Sequence, residues 1–456
     1  MIDGPGMIRV AMACAMAALS HTSARAAEFS LEEALGMAYQ TNPKLQAQRA
    51  QLRATDEDVA KAFAGYLPQL SASGSYGFEQ NSVGNVLLPV PSGHPRDVTV
   101  TLTQPVFDVR ALNQIRLANA SVRAGRAQLT SVEQSALLDA AQAYFDVVAD
   151  QAAVGFRVQN ADLLRQLLDA IRTRFAAGDV TTTDVEQVNA RLAGANAEVA
   201  AARSRLDASR AAFERAVGRP AETLQPEPSL GDAVQSEEMA LSLAEERNPD
   251  VVAAREQEQV ATLSISEADA ARLPTLSIQG QYLRSKDEVA KGINEEALAV
   301  IAHLSVPLYQ GGSEYAEIRR AQELRSQAMS LIESAMRDAD QNVRSAWSGA
   351  MAARDAMAYY DQQRRSNQAV YSGLEEQARA GERTVTDVLN AAQDLVTSQI
   401  NFANARRELY VDTFKLNAAI GRLTAVALNL PVKIYDPELH YDQDAGPALP
   451  RLNSQP

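Results

Sequence analysis

Four short stretches of this chain alternate apolar and polar side chains with a period of two, and two very long stretches do not. In QLSASGSYGFEQ (69–80), Leu70, Ala72, Tyr76 and Phe78 share one face, and Ser71, Ser73, Ser75 and Glu79 the other. VTVTLTQPVF (98–107) sets Val98, Val100 and Leu102 against Thr99, Thr101 and Thr103. TLSIQGQYL (275–283) and LAVIAHLSVPLY (298–309) alternate likewise, the latter with Leu298, Val300, Leu304, Val306 and Leu308 on one side. The alternation predicts strands with one apolar face. Each is close to the roughly 9–11 residues that cross a bilayer at a tilt, although a soluble sheet alternates in the same way. The connecting stretches 81–97 and 285–297 are polar or turn-rich and are expected to be outer loops.

The long stretches are proline-free, from 106 to 219 and from 308 to 430, and rich in alanine, glutamine, arginine and leucine. They predict helices. Ile115, Val122 and Leu129 recur every seven residues, and Leu324, Ala328, Leu331 and Ala335 follow four-three-four spacing. This is coiled-coil-like packing with small knobs. As single helices, 111–177 and 312–380 would each be roughly 100 Å long. Gly178 and Gly381 interrupt the windows at equivalent places and suit the left-handed turn that ends a helix. Thr181-x-x-Asp184 and Thr384-x-x-Asp387 follow as capping boxes, so each window reads as a helical hairpin.

The two hairpins belong to a tandem duplication. SLEEALGMAYQTNPKL (30–45) aligns with SEEMALSLAEERNPDV (236–251), placing Asn42-Pro43 on Asn248-Pro249 at an offset of 206. Leu67-Pro68 falls on Leu273-Pro274 at the same offset. Gly178 falls on Gly381, Asp184 on Asp387 and Gly218 on Gly421 at an offset of 203. Ordered anchors of this kind mark internal repeats. The expected plan is a signal segment at 1–26, a first repeat at 27–223 with its hairpin at 111–218, and a proline-bearing linker at 224–235. A second repeat at 236–428 carries its hairpin at 312–421, and 429–456 is an unstructured tail.

Composition narrows the class. The chain is 46% hydrophobic but only 5% aromatic, with a formal net charge of -14. Alanine carries much of the hydrophobic fraction; it packs helices closely but cannot fill a thick core. The acidic balance, without any basic run, argues against nucleic acid as a partner. Arg9, the apolar run from Val10 to Leu19 and the small-x-small site Ala24-Arg25-Ala26 read as a secretory signal, with Met7 an alternative start. Its removal discards Cys14, the one cysteine; a lipid-attachment reading of Ala11 to Cys14 is disfavoured by the short apolar stretch before it. No other stretch is apolar over about 18 residues, so a membrane crossing would use strands.

Spanning sheets must close on themselves. Four strands cannot; three copies would supply twelve, above a ring of twelve helices, whereas two copies would leave a narrow, filled barrel. No catalytic residue, metal site or cofactor site is expected. His94, His303 and His440 each stand alone, and neither a phosphate loop nor a nucleophile elbow occurs. Acid pairs such as Glu32/Glu33 and Glu375/Glu376 read as solvated helix faces, and Trp347, Tyr359 and Tyr360 as helix packing.

The paired Asn-Pro motifs, the strand ends Pro105 to Phe107 and Pro307 to Tyr309, and the glycine-to-Thr-Asp-Val tips together resemble the TolC family of outer-membrane channel proteins. The opening SLEEALGMAYQTNPKLQAQRAQLRATDEDVAKAFAGYLPQL resembles its type I secretion branch. The likeness covers roughly 28–428. It implies a mainly α protein with a small membrane β-barrel: a homotrimer whose four strands per protomer form a twelve-stranded barrel in outer-membrane lipid. A helical tunnel would extend into the periplasm of a Gram-negative cell. It also implies a passive exit duct, not an enzyme, that meets a periplasmic adaptor (membrane fusion) protein and an inner-membrane ABC transporter or proton-driven pump. By the same likeness, Asp184, Arg383 and Asp387 would latch the entrance, with Asn390 where the archetype has a constricting aspartate and Ala378 where it has a tyrosine. Ordinary cap and surface roles remain open for these charges. Gly178, Thr182, Thr183, Gly381, Thr384 and Thr386 would face the adaptor. Export of protein is the first expectation and efflux of drugs or metals the alternative. A secreted helical filament is a rival of another class, but it would not need four duplicated strands.

Overall fold

A computed structural model describes residues 29–80, 92–221, 224–225, 235–287 and 292–439. The signal segment 1–26, residues 81–91 and 288–291 of the expected loops, most of the linker and residues 440–456 with His440 lie outside the described residues.

One plan is laid down twice. Helices α1 (Leu31–Thr41) and α2 (Pro43–Ala64) lead into strands β1 (Gln69–Tyr76), β2 (Glu79–Gln80), β3 (Ser92–Gly93) and β4 (Arg96–Phe107), then helices α3 (Val109–Ala176) and α4 (Thr182–Val217). The second pass gives α5 (Glu237–Arg247), α6 (Pro249–Ala270), β5 (Thr275–Lys286), β6 (Asn294–Ser305), α7 (Ser313–Arg379) and α8 (Val385–Ala419). Corresponding helices have 11 and 11, 22 and 22, 68 and 67, and 36 and 35 residues. The repeated Asn-Pro pair is a helix start. Asn42 accepts from the N–H groups of Lys44 and Leu45, and Asn248 from those of Asp250 and Val251. Pro43 and Pro249 occupy the first helical position, where no N–H is required.

At 1.5 Å per residue α3 is about 100 Å long. It packs on α2 and α6 in its first part and on α4 and α8 further along, while α7 packs on α6 and α8. Buried positions of α7 are mostly alanine, among them Ala321, Ala328, Ala339, Ala346 and Ala350, which permits close helix approach. Leu324 and Leu331 of the expected α7 seam are 43% and 53% exposed, so that flank is open in a single chain. Trp347 packs against the Ala240/Val343 cluster. Tyr359, expected to pack, is instead 73% exposed.

The core is thickest at the waist, where Leu35 and Tyr39 of α1, Leu137, Tyr144 and Phe145 of α3, Phe213 of α4 and Phe414 of α8 meet. The Tyr144 hydroxyl lies 3.0 Å from the Phe29 carbonyl oxygen and 2.9 Å from that of Gln225. Residues 429–439, expected within an unstructured tail, are docked here. Leu430 is buried in the core, the Tyr435 N–H donates to Tyr39 Oη at 2.9 Å, and Glu438 pairs with Arg126 at 2.8 Å. These apolar and aromatic anchors outweigh the local proline content that suggested disorder.

The main sheet has the order β1-β4-β5-β6, antiparallel throughout. Leu70 pairs with Leu102, Val100 with Tyr282, and Tyr282 with Leu298. Opposed residues share a face, so this register gathers the even-numbered apolar positions onto one surface up to Gln104, beyond which a shift sets Phe107 opposite Leu276. Strand limits differ from those expected. The first strand breaks at Gly77 and Phe78, where the Gly77 N–H turns to the Pro95 carbonyl. β4 begins at Arg96 and β5 runs on to Lys286, into the expected loops, because the charged ends still find cross-strand partners such as Arg284 and Glu296. β6 ends at Ser305, short of Pro307, which has no N–H for the ladder. Among the described residues no helix is long and apolar enough to cross a membrane.

Candidate functional site

The helical hairpins turn at Gly178 and Gly381, with φ of 87° and 81°. A left-handed residue there folds the chain back so that the next N–H closes the helix end: Asp179 donates to the Arg174 carbonyl at 3.0 Å and Glu382 to the Gln377 carbonyl at 2.9 Å. Each following helix then opens with a reciprocal capping box. Thr181 donates through its N–H and its hydroxyl to Asp184 Oδ2 at 2.9 and 2.8 Å. Thr384 does the same to Asp387 Oδ2 at 3.2 and 2.9 Å. The aspartate N–H groups return to the threonine hydroxyls, each at 3.3 Å.

These bonds fix the protonation of the tip. The Thr181 N–H, then its hydroxyl, hold Asp184 below its ordinary 3.8, with a smaller contribution from the charge of Arg174. Asp387 is held down first by the Thr384 hydroxyl and then by its N–H, with help from Arg383. Arg383 is exposed, and its Nε donates to Gln377 Oε1 at 3.2 Å. Among the described residues no hydrogen bond or ion pair joins Arg383 to Asp184 within one chain. Each acid is engaged in its own hairpin.

Near the tip, among the described residues, two bonds cross between hairpins instead. Thr386 Oγ1 donates to Gln187 Oε1 at 3.2 Å, and Arg191 Nη2 donates to Asn390 Oδ1 at 3.3 Å. Asn390, expected at the constriction, and Thr386, expected on the adaptor-facing surface, are therefore joined to the neighbouring hairpin. Gly178, Thr182, Thr183, Gly381 and Thr384 are exposed at the end. Gln187 and Arg191 escaped sequence reasoning. A partial signal existed, because Gln187 and Asn390 fall on each other at the 203 offset, as do Thr183 and Thr386. Arg191 had none, being one of several arginines along α4.

Behind the tip, α3 presents Leu164, Leu168 and Ile171 to Val188 of α4 and Leu389 of α8, and Leu163 and Leu167 to Tyr371 of α7 and Val388 of α8. A cavity of about 460 Å³ remains here, lined by Leu167, Ala170, Tyr371, Ala378 and Val385, with Arg174 and Glu375 also on its wall. Burial, aided by the charge of Glu375, pushes the Tyr371 phenol up to about 12, so it stays neutral. The expected tyrosine position is Ala378, and its small side chain leaves part of this space open. Among the described residues no group of three or more His, Cys, Asp or Glu is placed to hold a metal. At this end the two hairpins are joined by an apolar ridge and by the Thr386–Gln187 and Arg191–Asn390 bonds.

A profile of the family described as "Outer membrane efflux protein" matches residues 34–219 and 240–422, one stretch in each half. The outer membrane efflux protein BepC of Brucella suis biovar 1 is 30% identical over 95% of this chain and 94% of its own. The alkaline protease secretion protein AprF of Pseudomonas aeruginosa is 25% identical over 86% of this chain and 85% of its own. Among solved structures, the Campylobacter jejuni CmeC outer membrane channel superposes with a TM-score of 0.77 at 16% identity, covering 91% of this chain and 89% of that one.

Proposed function

The chain belongs to the outer membrane efflux protein family, the TolC family that its motifs resembled, and on that premise we propose that it is the outer-membrane exit duct of a type I secretion system. It is an outer-membrane channel protein whose helical body extends into the periplasm. In the proposed role it conducts substrate passively and performs no chemistry. One observation carries the assembly: the sheet has an apolar even-numbered face, and its outer strands β1 and β6 each have an unpaired edge. An open edge in lipid costs several kcal/mol per unpaired group. A head-to-tail pairing of β6 with the next copy's β1 removes both edges and closes a ring. Three copies give twelve strands, and the open flank of α7 then meets the α2/α4 flank of the neighbour.

Protein is the proposed cargo, supported by the similarity to AprF along most of both chains. The efflux reading is favoured by the name and higher identity of BepC. In either case a periplasmic adaptor docks at the exposed glycine turns, and the inner-membrane transporter selects the cargo. The purified protein is expected to run as a trimer by native mass spectrometry and to give steady conductance in planar bilayers. A non-conducting monomer would overturn the assembly. Gly381→Cys offers a unique cross-linking site once the signal and Cys14 are removed. Capture of an ABC transporter supports secretion, and capture of a proton-driven pump supports efflux.

A further inference from the structure

The sheet reads as a stack of cross-strand rows on its apolar face. Starting from the helical end, one row holds Gln104, Ile278 and Ala302, the next Leu70, Leu102, Gly280 and Val300, and the next Ala72, Val100, Tyr282 and Leu298. Then the character changes. The following row is Gly74, Val98, Arg284 and Glu296, and the last is Tyr76, Arg96, Lys286 and Asn294. Twelve residues of β5 span about 37 Å along the strand, or roughly 28 Å across a bilayer at a tilt of about 40°. The last two rows therefore stand at the level of lipid headgroups, on the lipid side. All four strands join the helices at the opposite end, so these rows face the outer leaflet.

Arg96 and Lys286 are directly opposed across β4 and β5. Like charges so placed destabilise a strand pair unless an anion lies between them. Neither makes an ion pair among the described residues. Arg284 is matched by Glu296 at 3.3 Å, and Asp97 lies on the other face, bonded by Ser75. The helical end of the sheet differs: Arg110 pairs with Glu267 at 2.6 Å and Arg272 with Asp269 at 2.5 Å. Arg110 and Arg272 thus have acidic partners near the helical boundary, whereas Arg96 and Lys286 at the outer one have none among the described residues. Tyr76 completes the row; the residue is 73% exposed and its ring is stacked on His94.

We propose that Arg96 and Lys286, flanked by Tyr76, form a binding site for the phosphorylated headgroup of an outer-leaflet lipid. A phosphate between the two strands supplies the missing counter-charge. The guanidinium offers it a planar pair of donors and the ammonium a compact charge. The lipid's acyl chains then lie along Val100 and Leu298 below. Each protomer carries the whole row, so the site does not depend on the number of copies. It rests on the reading that the even-numbered face meets lipid.

The test uses the full mature assembly in detergent, with lipid retention followed by native mass spectrometry. The wild type is expected to retain bisphosphorylated lipid A at least about tenfold more tightly than R96Q/K286Q. R96K/K286R should largely restore retention. Lipid A stripped of both phosphates should bind the wild type as weakly as the double glutamine variant binds the intact lipid. Equal retention by wild type and R96Q/K286Q, or by the two lipids, overturns the proposal. So does displacement of the lipid by an equal concentration of inorganic phosphate, which would mark a free-anion site. Conductance of R96Q/K286Q should match the wild type, showing that the variant folds and inserts. If the wild type itself fails to insert into vesicles, the membrane reading of the sheet falls. If it inserts and only the retention arms fail, the headgroup site alone falls.

Discussion

Thr181 and Thr384 show what a single side chain does at the hairpin tips, since each accepts from one helix-start N–H, that of Asp184 or Asp387, which would otherwise face only water. Thr384→Ala should loosen the first turn of α8 by about 1 kcal/mol, a typical loss for a cap. Hydrogen exchange at the Asp387 amide is expected to quicken by about fivefold, with the melting temperature of the whole protein nearly unchanged. Acid should act on the same bonds. Asp184 and Asp387 have folded values below the ordinary 3.8, so their contribution is fully present above that value and is lost as pH falls through the lowered one. Tip protection, corrected for intrinsic exchange, should therefore hold from neutral pH to about 4 and collapse below it. Unchanged protection in strong acid would show that the carboxylates contribute nothing there. These boxes were legible in the sequence because both partners lie three residues apart. The bond from Thr386 to Gln187 was not, because it needs the relative register of two hairpins separated by 199 residues.

At the scale of elements, proline placement and period-two alternation located the long helices and the strands, since both signals are local. Strand ends were less legible. Arg284 and Glu296 look like loop residues when read singly, and only their pairing across β5 and β6 makes them part of a sheet. The docked segment 429–439 was also hidden, because Leu430 enters a core built by several distant elements and Tyr435 finds its partner Tyr39 on α1, 396 residues away. Facing follows from register and can be tested directly. Val100 lies on the even-numbered face and Thr101 on the opposite one. Val100→Arg should cost about 2–4 kcal/mol of stability in lipid vesicles, the cost of a cation near the bilayer midplane, whereas Thr101→Arg should cost much less. Urea titrations of the two variants after folding into vesicles measure the difference. Equal losses would mean that the sheet does not present one face to lipid.

For the whole molecule, the question is what holds the periplasmic end of the proposed tube shut. Within one chain Arg383 is exposed in the turn after α7 and, among the described residues, bonds only to Gln377, a neutral partner near the end of that helix. That leaves its charge available to a carboxylate of another hairpin once copies assemble. An exposed pair contributes only about 0.2–1 kcal/mol, so one such contact could not close an entrance. Three in a ring contribute about 0.6–3 kcal/mol, enough to favour closure by roughly three- to 150-fold and still yield to a docking adaptor. Arg383→Glu replaces attraction by repulsion three times over and also sets a second negative charge beside Asp387. It should raise single-channel conductance in planar bilayers, with Arg383→Gln giving a smaller rise. Arg319→Glu, an equal charge reversal near the start of α7, should leave conductance as it is. Because the contacts are exposed, added salt should weaken the wild-type closure and narrow the gap between wild type and Arg383→Glu. Equal conductance of Arg383→Glu and wild type at low salt would leave Arg383 as a surface charge and return closure to the apolar ridge of Leu163, Leu167 and Val388.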